Sequence, residues 1–316
     1  MNNYKPLVSI MIPTYNQETY VERALKSALS QNYDNLEIVV SDDCSSDNTE
    51  KIVKKYLNNG NIHYFRNETN LGRVENYHKT LYERAKGDYV LNLDGDDELI
   101  DNNFISDSIE LLRKFESFPN LVVACKRTNN EETLKYNLHQ IEEEFRSISG
   151  VDFVLGLLYK YKFSHLTTLY LREKALDINF YRSPIISSDM ESLLRLALGG
   201  NVLLYNKVVG QWNYVGNNES QTIDIDKSIQ NLDWIRSVAK NLKKHVSTFE
   251  LLVWTIKMKY FYTNGIFNQL KVNNTQKFHI WSTLFKSGLF FFLFAHQVVY
   301  LKKRVWNFLR LCINQV

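Results

Sequence analysis

Tyr89-Val90-Leu91-Asn92-Leu93-Asp94-Gly95-Asp96-Asp97 is the stretch that decides how the rest of this chain is read. Its first five residues form an apolar run of strand length, the character of a strand buried on both faces. Three carboxylates then crowd the end of that strand. Like charges repel and burial disfavours ionisation, so such a cluster is costly unless a cation sits among it. Mg2+ and Mn2+ take carboxylate and water ligands and commonly join one or two carboxylates to substrate phosphates. The segment therefore points to a metal–diphosphate site at a strand end. Taken alone it also reads as an ordinary polar turn, since Asp and Gly are turn residues and short motifs recur by chance.

The flanking sequence repeats the pattern. Leu7 to Ile12 is a short apolar run closed by Pro13, and Thr19 to Gln31 carries a helical stripe of Val21, Ala24, Leu25, Ala28 and Leu29. Glu37 to Val40 is a second strand, running into Ser41-Asp42-Asp43. Asp47, with Glu50 three residues on, reads as the N-cap of a helix reaching about Tyr56. Ile62 to Phe65 is a third strand, and a helix from Arg73 to Ala85 stops near Gly87. Downstream lie a helix, Asn103 to Phe115, and a strand, Leu121 to Ala124. Strands alternating with helices predict an α/β fold whose sheet is mostly parallel and flanked by helices. Right-handed crossovers then bring the strand C-termini to one edge, where such sheets bind ligands. Pro13 to Asn16, Asp42-Asp43 and Asp94 to Asp97 all fall there and predict a single site.

The second half is less regular. Lys126 to Ser149 is polar and carries no clear period, Val151 to Lys160 reads as helix, and Thr167 to Leu171 as strand. Met190 to Leu198 is helical, and Asn201 to Tyr205 and Val208 to Tyr214 read as two further strands. From about Asp226 the pattern is helical throughout. The expected division is a catalytic domain over residues 1–222 and a helical, basic region over 223–316.

The net charge of +3 on 316 residues conceals an asymmetry. Residues 240–316 hold twelve Lys/Arg and one acid, Glu250, a balance of +11, while the first 239 residues carry −8. A basic end of this kind points to an anionic partner. The three cysteines, Cys44, Cys125 and Cys312, show neither metal-ligand spacing nor a disulfide framework, which fits a reducing compartment. Met1 to Pro13 lacks a charged region followed by a long apolar core, and no run of eighteen apolar residues occurs. Neither a signal peptide nor a conventional membrane span is therefore expected.

No G-x-G-x-x-G follows the first strand and no Walker motif is present, so the dinucleotide and P-loop readings lose their main support. One strand-end carboxylate can accept the imide N–H of a uracil, and another, with a metal, can hold a diphosphate. That is nucleotide-sugar chemistry in outline.

The motifs themselves carry a family resemblance over about Leu7 to Ser220. They are Val8-Ser9-Ile10-Met11-Ile12-Pro13-Thr14-Tyr15-Asn16, Ser27-Ala28-Leu29-Ser30-Gln31, Glu37 to Asp47, Asn70-Leu71-Gly72, Ala85-Lys86-Gly87-Asp88-Tyr89-Val90, the Asp94 to Asp97 segment, and Ser188 to Arg195. In these the chain resembles the family 2 glycosyltransferases of the GT-A fold. The resemblance implies an inverting enzyme that uses a UDP-sugar donor and Mn2+ or Mg2+. Pro13, Thr14 and Tyr15 would line the nucleotide pocket, with Tyr15 stacked on the base, and Asp43 would meet the uracil. Asp96 would ligate the metal with Asp94 beside it, Arg73 would touch the nucleotide, and Asp189 would be the general base. Asp42 reads as a turn residue, Asp97 as an extra carboxylate, and Asp189 also as an N-cap of its helix. His165 reads as structural, and Trp212 either as buried or as stacked on a sugar ring.

Phe285 to Leu311 combines an apolar stretch too short to span a bilayer with Lys286, Lys302, Lys303, Arg304 and Arg310, and with Tyr300 and Trp306. Basic residues with interfacial aromatics suit a helix lying on an anionic membrane. The alternative is a helical subdomain packed on the core or on a second subunit. Nucleic acid is not expected, since no binding motif accompanies the charge. The expectation is a transferase at the cytoplasmic face of the membrane, acting on a glycan acceptor that is lipid-linked. A nucleotidyltransferase and a non-catalytic sugar-nucleotide-binding protein are the rival readings.

Overall fold

A computed structural model of the chain describes residues 5–115, 119–130, 133–137, 139, 141–215 and 224–272. They fall into two compact units, Met1–Asn218 and Glu219–Val316.

The first unit opens with β1 (Val8–Thr14), buried along its whole length. Helix α1 (Val21–Leu29) buries Val21, Ala24, Leu25 and Ala28, the stripe its spacing predicts. β2 (Leu36–Asp42) is again fully buried, α2 (Thr49–Lys54) follows, and β3 (Ile62–Arg66) is largely open to solvent. Helix α3 (Arg73–Lys79) passes into a π-helical turn over Thr80–Arg84 before β4 (Tyr89–Asn92). Next come β5 (Glu98–Leu99), α4 (Phe104–Leu112), β6 (Leu121–Asn130), β7 (Thr133–Asn137) and β8 (Phe145–Ser149). The unit closes with α5 (Gly150–Leu155), β9 (Thr168–Leu171), α6 (Arg172–Asp177), α7 (Ser188–Ala197) and β10 (Asn201–Asn213).

The strand order is β3-β2-β1-β4-β9-β6-β10-β5, with β7 on β6 and β8 on β10. β1 is parallel to β2 and β4, and β2 to β3. β9 is antiparallel to both β4 and β6, so β6 and its parallel partner β10 point the same way as β1. The C-terminal ends of β1, β2, β4, β6 and β10 therefore open on one edge. One core cluster packs α1 and α4, through Leu25, Phe104 and Ile109, on Ile10, Ile12 and Ile38 of the sheet. It holds that edge in place.

Several local expectations differ from what forms. Asn48, not Asp47, is the N-cap of α2; Asp47 instead accepts N–H bonds from Thr49 at 3.0 Å and Glu18 at 2.9 Å, fastening two loops together. The strand expected to stop at Ala124 runs to Asn130, because β7 and β10 pair with its polar half. The two strands expected after α7 are one, irregular between Leu204 and Gly210. The helix expected to reach Lys160 ends at Leu155, where Gly156 follows.

In the second unit α8 (Ile225–Asn231), α9 (Asp233–Leu242) and α10 (Thr248–Val272) follow in order. Trp234 of α9 is fully buried, with Trp254 and Tyr262 edge-on to its ring at 6.2 and 5.1 Å. Among the described residues no helix is long and apolar enough to cross a membrane. The Phe285–Leu311 stretch lies outside the described residues.

Candidate active site

The strand edge gathers most of the residues singled out by sequence. Thr14 closes β1 in register with Asp42 of β2, and the Asp43 N–H donates to the Thr14 carbonyl at 2.9 Å. Pro13 and Thr14 are buried, and the Thr14 hydroxyl donates to Gln17 Oε1 at 2.8 Å. Tyr15 is 48% exposed, so its ring is available to a ligand. Asp43 accepts from Asn67 Nδ2 (2.8 Å), Leu71 N (2.9 Å) and Gly72 N (2.8 Å). A carboxylate has about four acceptor positions, so this one fixes the Asn70-Leu71-Gly72 turn and keeps limited capacity for a ligand. Asp42 is spent on its surroundings, accepting from Ser45 N at 2.8 Å and the Tyr64 hydroxyl at 2.6 Å.

The turn that Asp43 holds starts α3, and α3 reaches the acidic segment. Tyr77 donates its hydroxyl to Asp94 Oδ1 at 2.5 Å, and Asn92 Nδ2 donates to the same oxygen at 3.0 Å. Gly95 is where the acidic loop meets β1: a Cβ there would lie 2.0 Å from Gln17 Oε1 and 3.1 Å from Thr14 Oγ1. The Asp96 carbonyl accepts from Arg23 Nη2 at 2.6 Å and from Asn213 Nδ2 at 3.2 Å. Asp97 is buried and accepts the Asn213 N–H at 2.9 Å.

At the centre stands His165, read from sequence as structural. Its Nε2 meets Asp94 Oδ2 at 3.0 Å and its Nδ1 meets Asp189 Oδ2 at 2.5 Å. Asp189 lies in the first turn of α7, whose N-cap is Ser187. Arg73 donates to the Ile186 carbonyl at 2.5 Å and lies 5.3 Å over the Tyr77 ring. The side chains of His165, Asp94 and Asp189 stay 16, 23 and 19% exposed, so a substrate can reach them. Asp43, Asp94 and Asp189 are thus joined through Gly72, α3, Tyr77 and His165.

Electrostatics follow from this crowding. Burial pushes the His165 imidazolium down, but Asp94 and Asp189 on either side outweigh it and raise its pKa to about 10. Burial works against the Asp94 carboxylate too, yet His165, Tyr77 and Arg73 hold it at about 2. Asp189 is lowered in the same way, against its own burial, by His165, Arg73 and the Met190 N–H. Burial and then Asp94 push Asp96 up to about 6. Burial, with Asp96 and Asp94 behind it, drives Asp97 well above the usual carboxylate range. Burial lowers the Lys126 ammonium, which Asp97, Asp189 and Asp94 partly oppose.

These residues fit a divalent cation. One carboxylate oxygen from each of Asp94, Asp96 and Asp97 lies within 4.8 Å of the others. Burial and the neighbouring carboxylates disfavour the charged forms of Asp96 and Asp97, a cost that a bound cation would remove, and an all-oxygen donor set suits Mg2+ or Mn2+.

His165, Tyr77, Lys126 and Asn213 are the residues that sequence reasoning missed. Strand register accounts for the place of His165. β4 and β9 pair antiparallel with Leu91 opposite Leu169. Three residues on from each, the Asp94 position faces the 165–166 turn. The pairing itself is not visible in the sequence.

The family model for glycosyl transferase family 2 matches residues 9–178 of the chain. TuaG of Bacillus subtilis (strain 168), a glycosyltransferase assigned to teichuronic acid biosynthesis, is 41% identical over 99 residues, 31% of this chain and 39% of that one. The GalNAc(5)-diNAcBac-PP-undecaprenol beta-1,3-glucosyltransferase of Campylobacter jejuni is 36% identical over 96 residues, 30% of this chain and 31% of that one. The matched segment thus spans less than two fifths of either relative. Among solved structures, S. aureus TarS residues 1–349 in complex with UDP-GlcNAc superposes with a TM-score of 0.66 at 20% identity, covering 80% of this chain and 71% of that chain. At that identity the likeness speaks for the GT-A fold alone.

Proposed function

The chain belongs to glycosyl transferase family 2, and from that premise we propose that it is an inverting, metal-dependent enzyme that moves a sugar from a UDP-sugar to a hydroxyl of a lipid-linked surface glycan. The observation that carries this reading is the joining of Asp94 and Asp189 through His165, on the strand edge that also holds Asp43. The reading takes Asp94 as the metal-and-diphosphate end of this linked pair and Asp189 as its base end.

In this reading Thr14, Tyr15 and Asp43 receive the uridine, with Tyr15 against the base, and Pro13 shapes the floor. Arg73 lies beside Asp94 and Asp189, where it faces the anionic leaving group. Asp94, Asp96 and Asp97 would hold Mn2+ or Mg2+, which neutralises charge on the diphosphate. Asp189 stays ionised at neutral pH because His165 and Arg73 favour its charged form. The acceptor oxygen forms its bond to the sugar C1 as the bond from C1 to the diphosphate oxygen breaks. UDP departs with that electron pair. The acceptor hydroxyl becomes acidic only as its new bond forms, so even a carboxylate held low can take its proton. His165 keeps Asp189 on the face opposite the leaving group.

The lipid-linked acceptor is supported by the undecaprenol-linked substrate in the name of the Campylobacter relative. The basic region over residues 223–316 would hold the enzyme on an anionic, cytoplasmic membrane face. Co-sedimentation with anionic vesicles that weakens with salt, and is lost on deleting residues 280–316, tests this; binding unchanged by the deletion refutes it.

The decisive experiment is calorimetry with UDP, with and without Mn2+, followed by UDP release from a panel of UDP-sugars. Mn2+-dependent UDP binding with turnover of one donor is expected. Pyrophosphate release would indicate a nucleotidyltransferase, and binding without turnover a non-catalytic protein.

A further inference from the structure

Two faces of the sheet edge can be told apart by register. Lys126 of β6 lies opposite Gly210 of β10, and Thr128 opposite Trp212. Side chains alternate along a strand, so Lys126, Gly210 and Trp212 share a face, while Arg127 and Gln211 share the other, where they bond at 2.6 Å. A Cβ on Gly210 would lie 2.8 Å from Thr167 Cγ2 and 3.0 Å from Leu166 Cγ. The turn that begins with His165 therefore covers the Lys126 face.

Asp97, Asp189 and Asp94 act on the Lys126 ammonium there through their charge. Its Nζ lies 5.6 Å from the Trp212 ring centroid. Among the described residues it has no ion-pair partner and that ring is the contact described for it. Of the other cations of the cleft, Arg23 donates to the Asp96 carbonyl and Arg73 to the Ile186 carbonyl. A half-buried ammonium whose donors lack acceptors is costly, and a ligand anion removes that cost. Trp212 and Tyr214 continue outward with ring centroids 6.4 Å apart, and Tyr214 is 43% exposed. Two aromatic rings leading to a cation match a sugar or polyol whose apolar face stacks and whose acid group is paired.

We propose that Lys126, Trp212 and Tyr214 form an acceptor subsite for a sugar or polyol unit bearing an anionic group, a phosphodiester or a carboxylate. The proposal rests on the glycosyltransferase reading and adds the class of acceptor to it. Position separates this subsite from the uridine pocket at the end of β1, while Lys126 stays within electrostatic reach of Asp94 and Asp97. β6 stands three strands from β1 in the sheet order, roughly 14 Å at the usual strand spacing.

The test uses the full chain, first saturated with UDP and Mn2+. Binding of a glycerol-phosphate trimer and of methyl glucuronide is then compared by calorimetry with that of their neutral counterparts, a glycerol trimer and methyl glucoside. One acidic probe is expected to bind about tenfold tighter than its neutral match, the worth of one hydrogen bond to a charged group. Which of the two does so identifies phosphodiester or carboxylate. K126M should erase the preference and K126R restore most of it, with UDP affinity unchanged in both. W212A should weaken the acidic and neutral probes alike, and W212F, which keeps a ring, should weaken both less. Normal UDP binding with no acid preference overturns the subsite. So does a K126M variant that loses UDP affinity, which would assign Lys126 to the donor. If the unaltered chain fails to bind UDP with Mn2+, the glycosyltransferase reading itself falls.

Discussion

Asp94 and Asp189 hold opposite nitrogens of one imidazole, at 3.0 Å on Nε2 and 2.5 Å on Nδ1 of His165. One acid follows a central strand and the other starts a helix nearly a hundred residues later. The imidazolium fixes their separation and supplies a positive charge between two carboxylates that would otherwise repel. In the proposed reading, donor side and acceptor side therefore share a rigid spacer.

That spacer makes stability depend on pH with a defined sign. His165 is raised from an ordinary 6.5 to about 10. A raised pKa means its contribution is complete below pH 6.5 and drains away as pH climbs toward 10. Urea midpoints of the unaltered chain should fall across that window, and H165Q should show a flatter profile. Parallel profiles would remove His165 from the ion-paired centre.

In the proposed reading acid reaches the metal cluster through its raised carboxyls, Asp96 among them at about 6. Mn2+-dependent UDP binding should weaken as pH drops below that value. D96N, uncharged at every pH, should lose this dependence together with about 100-fold or more in UDP release, the effect of several kcal/mol of charge stabilisation. An active D96N variant with an unchanged pH profile would move the cation elsewhere.

Asp189→Asn keeps an oxygen for the His165 ring N–H but has no negative charge to take a proton. UDP affinity should survive, and kcat should fall by roughly 100- to 10,000-fold, the span usual for a lost general base. Unimpaired turnover would hand the base role to another group.

Tyr77→Phe removes one hydroxyl and leaves the ring under Arg73. Asp94 then loses the 2.5 Å donor that orients it. Mn2+ affinity, measured by titration in the presence of UDP, should drop by about 10- to 100-fold, as for other residues that orient a metal ligand. The thermal midpoint should change little by comparison. The reverse pattern, a large loss of stability with intact Mn2+ affinity, would make Tyr77 a packing residue.

What the sequence made legible follows a physical line. Leu7 to Ile12, Glu37 to Val40 and Tyr89 to Leu93 announce themselves because a doubly covered strand must be apolar throughout, and each ends in residues too polar for that interior. Parallel connection then forces those ends together, which is why Thr14, Asp43 and Asp94 could be grouped without coordinates. His165 and Lys126 could not. They reach the cleft through β9, an antiparallel strand inserted between β4 and β6, and through a β6 whose polar half resembles a loop. Polar alternation on a half-covered strand carries little signal, and pairing order carries none. Asp47 failed for a subtler reason: its carboxylate does accept the Thr49 N–H, but the backbone enters the helix one residue later, at Asn48.

β10 reaches further than its length implies. Its first half is zipped to β8, its second half lines the cleft, and its pairing with β6 slips between Leu204 and Gly210. Strand side chains alternate with a period of two, so removing one residue from that slipped segment turns Trp212 to the opposite side while the zipped half stays put. The irregularity is thus a hinge for evolution rather than for motion: if Trp212 serves the acceptor as proposed, a single-codon deletion there would discard one acceptor preference without unravelling the sheet that supports it.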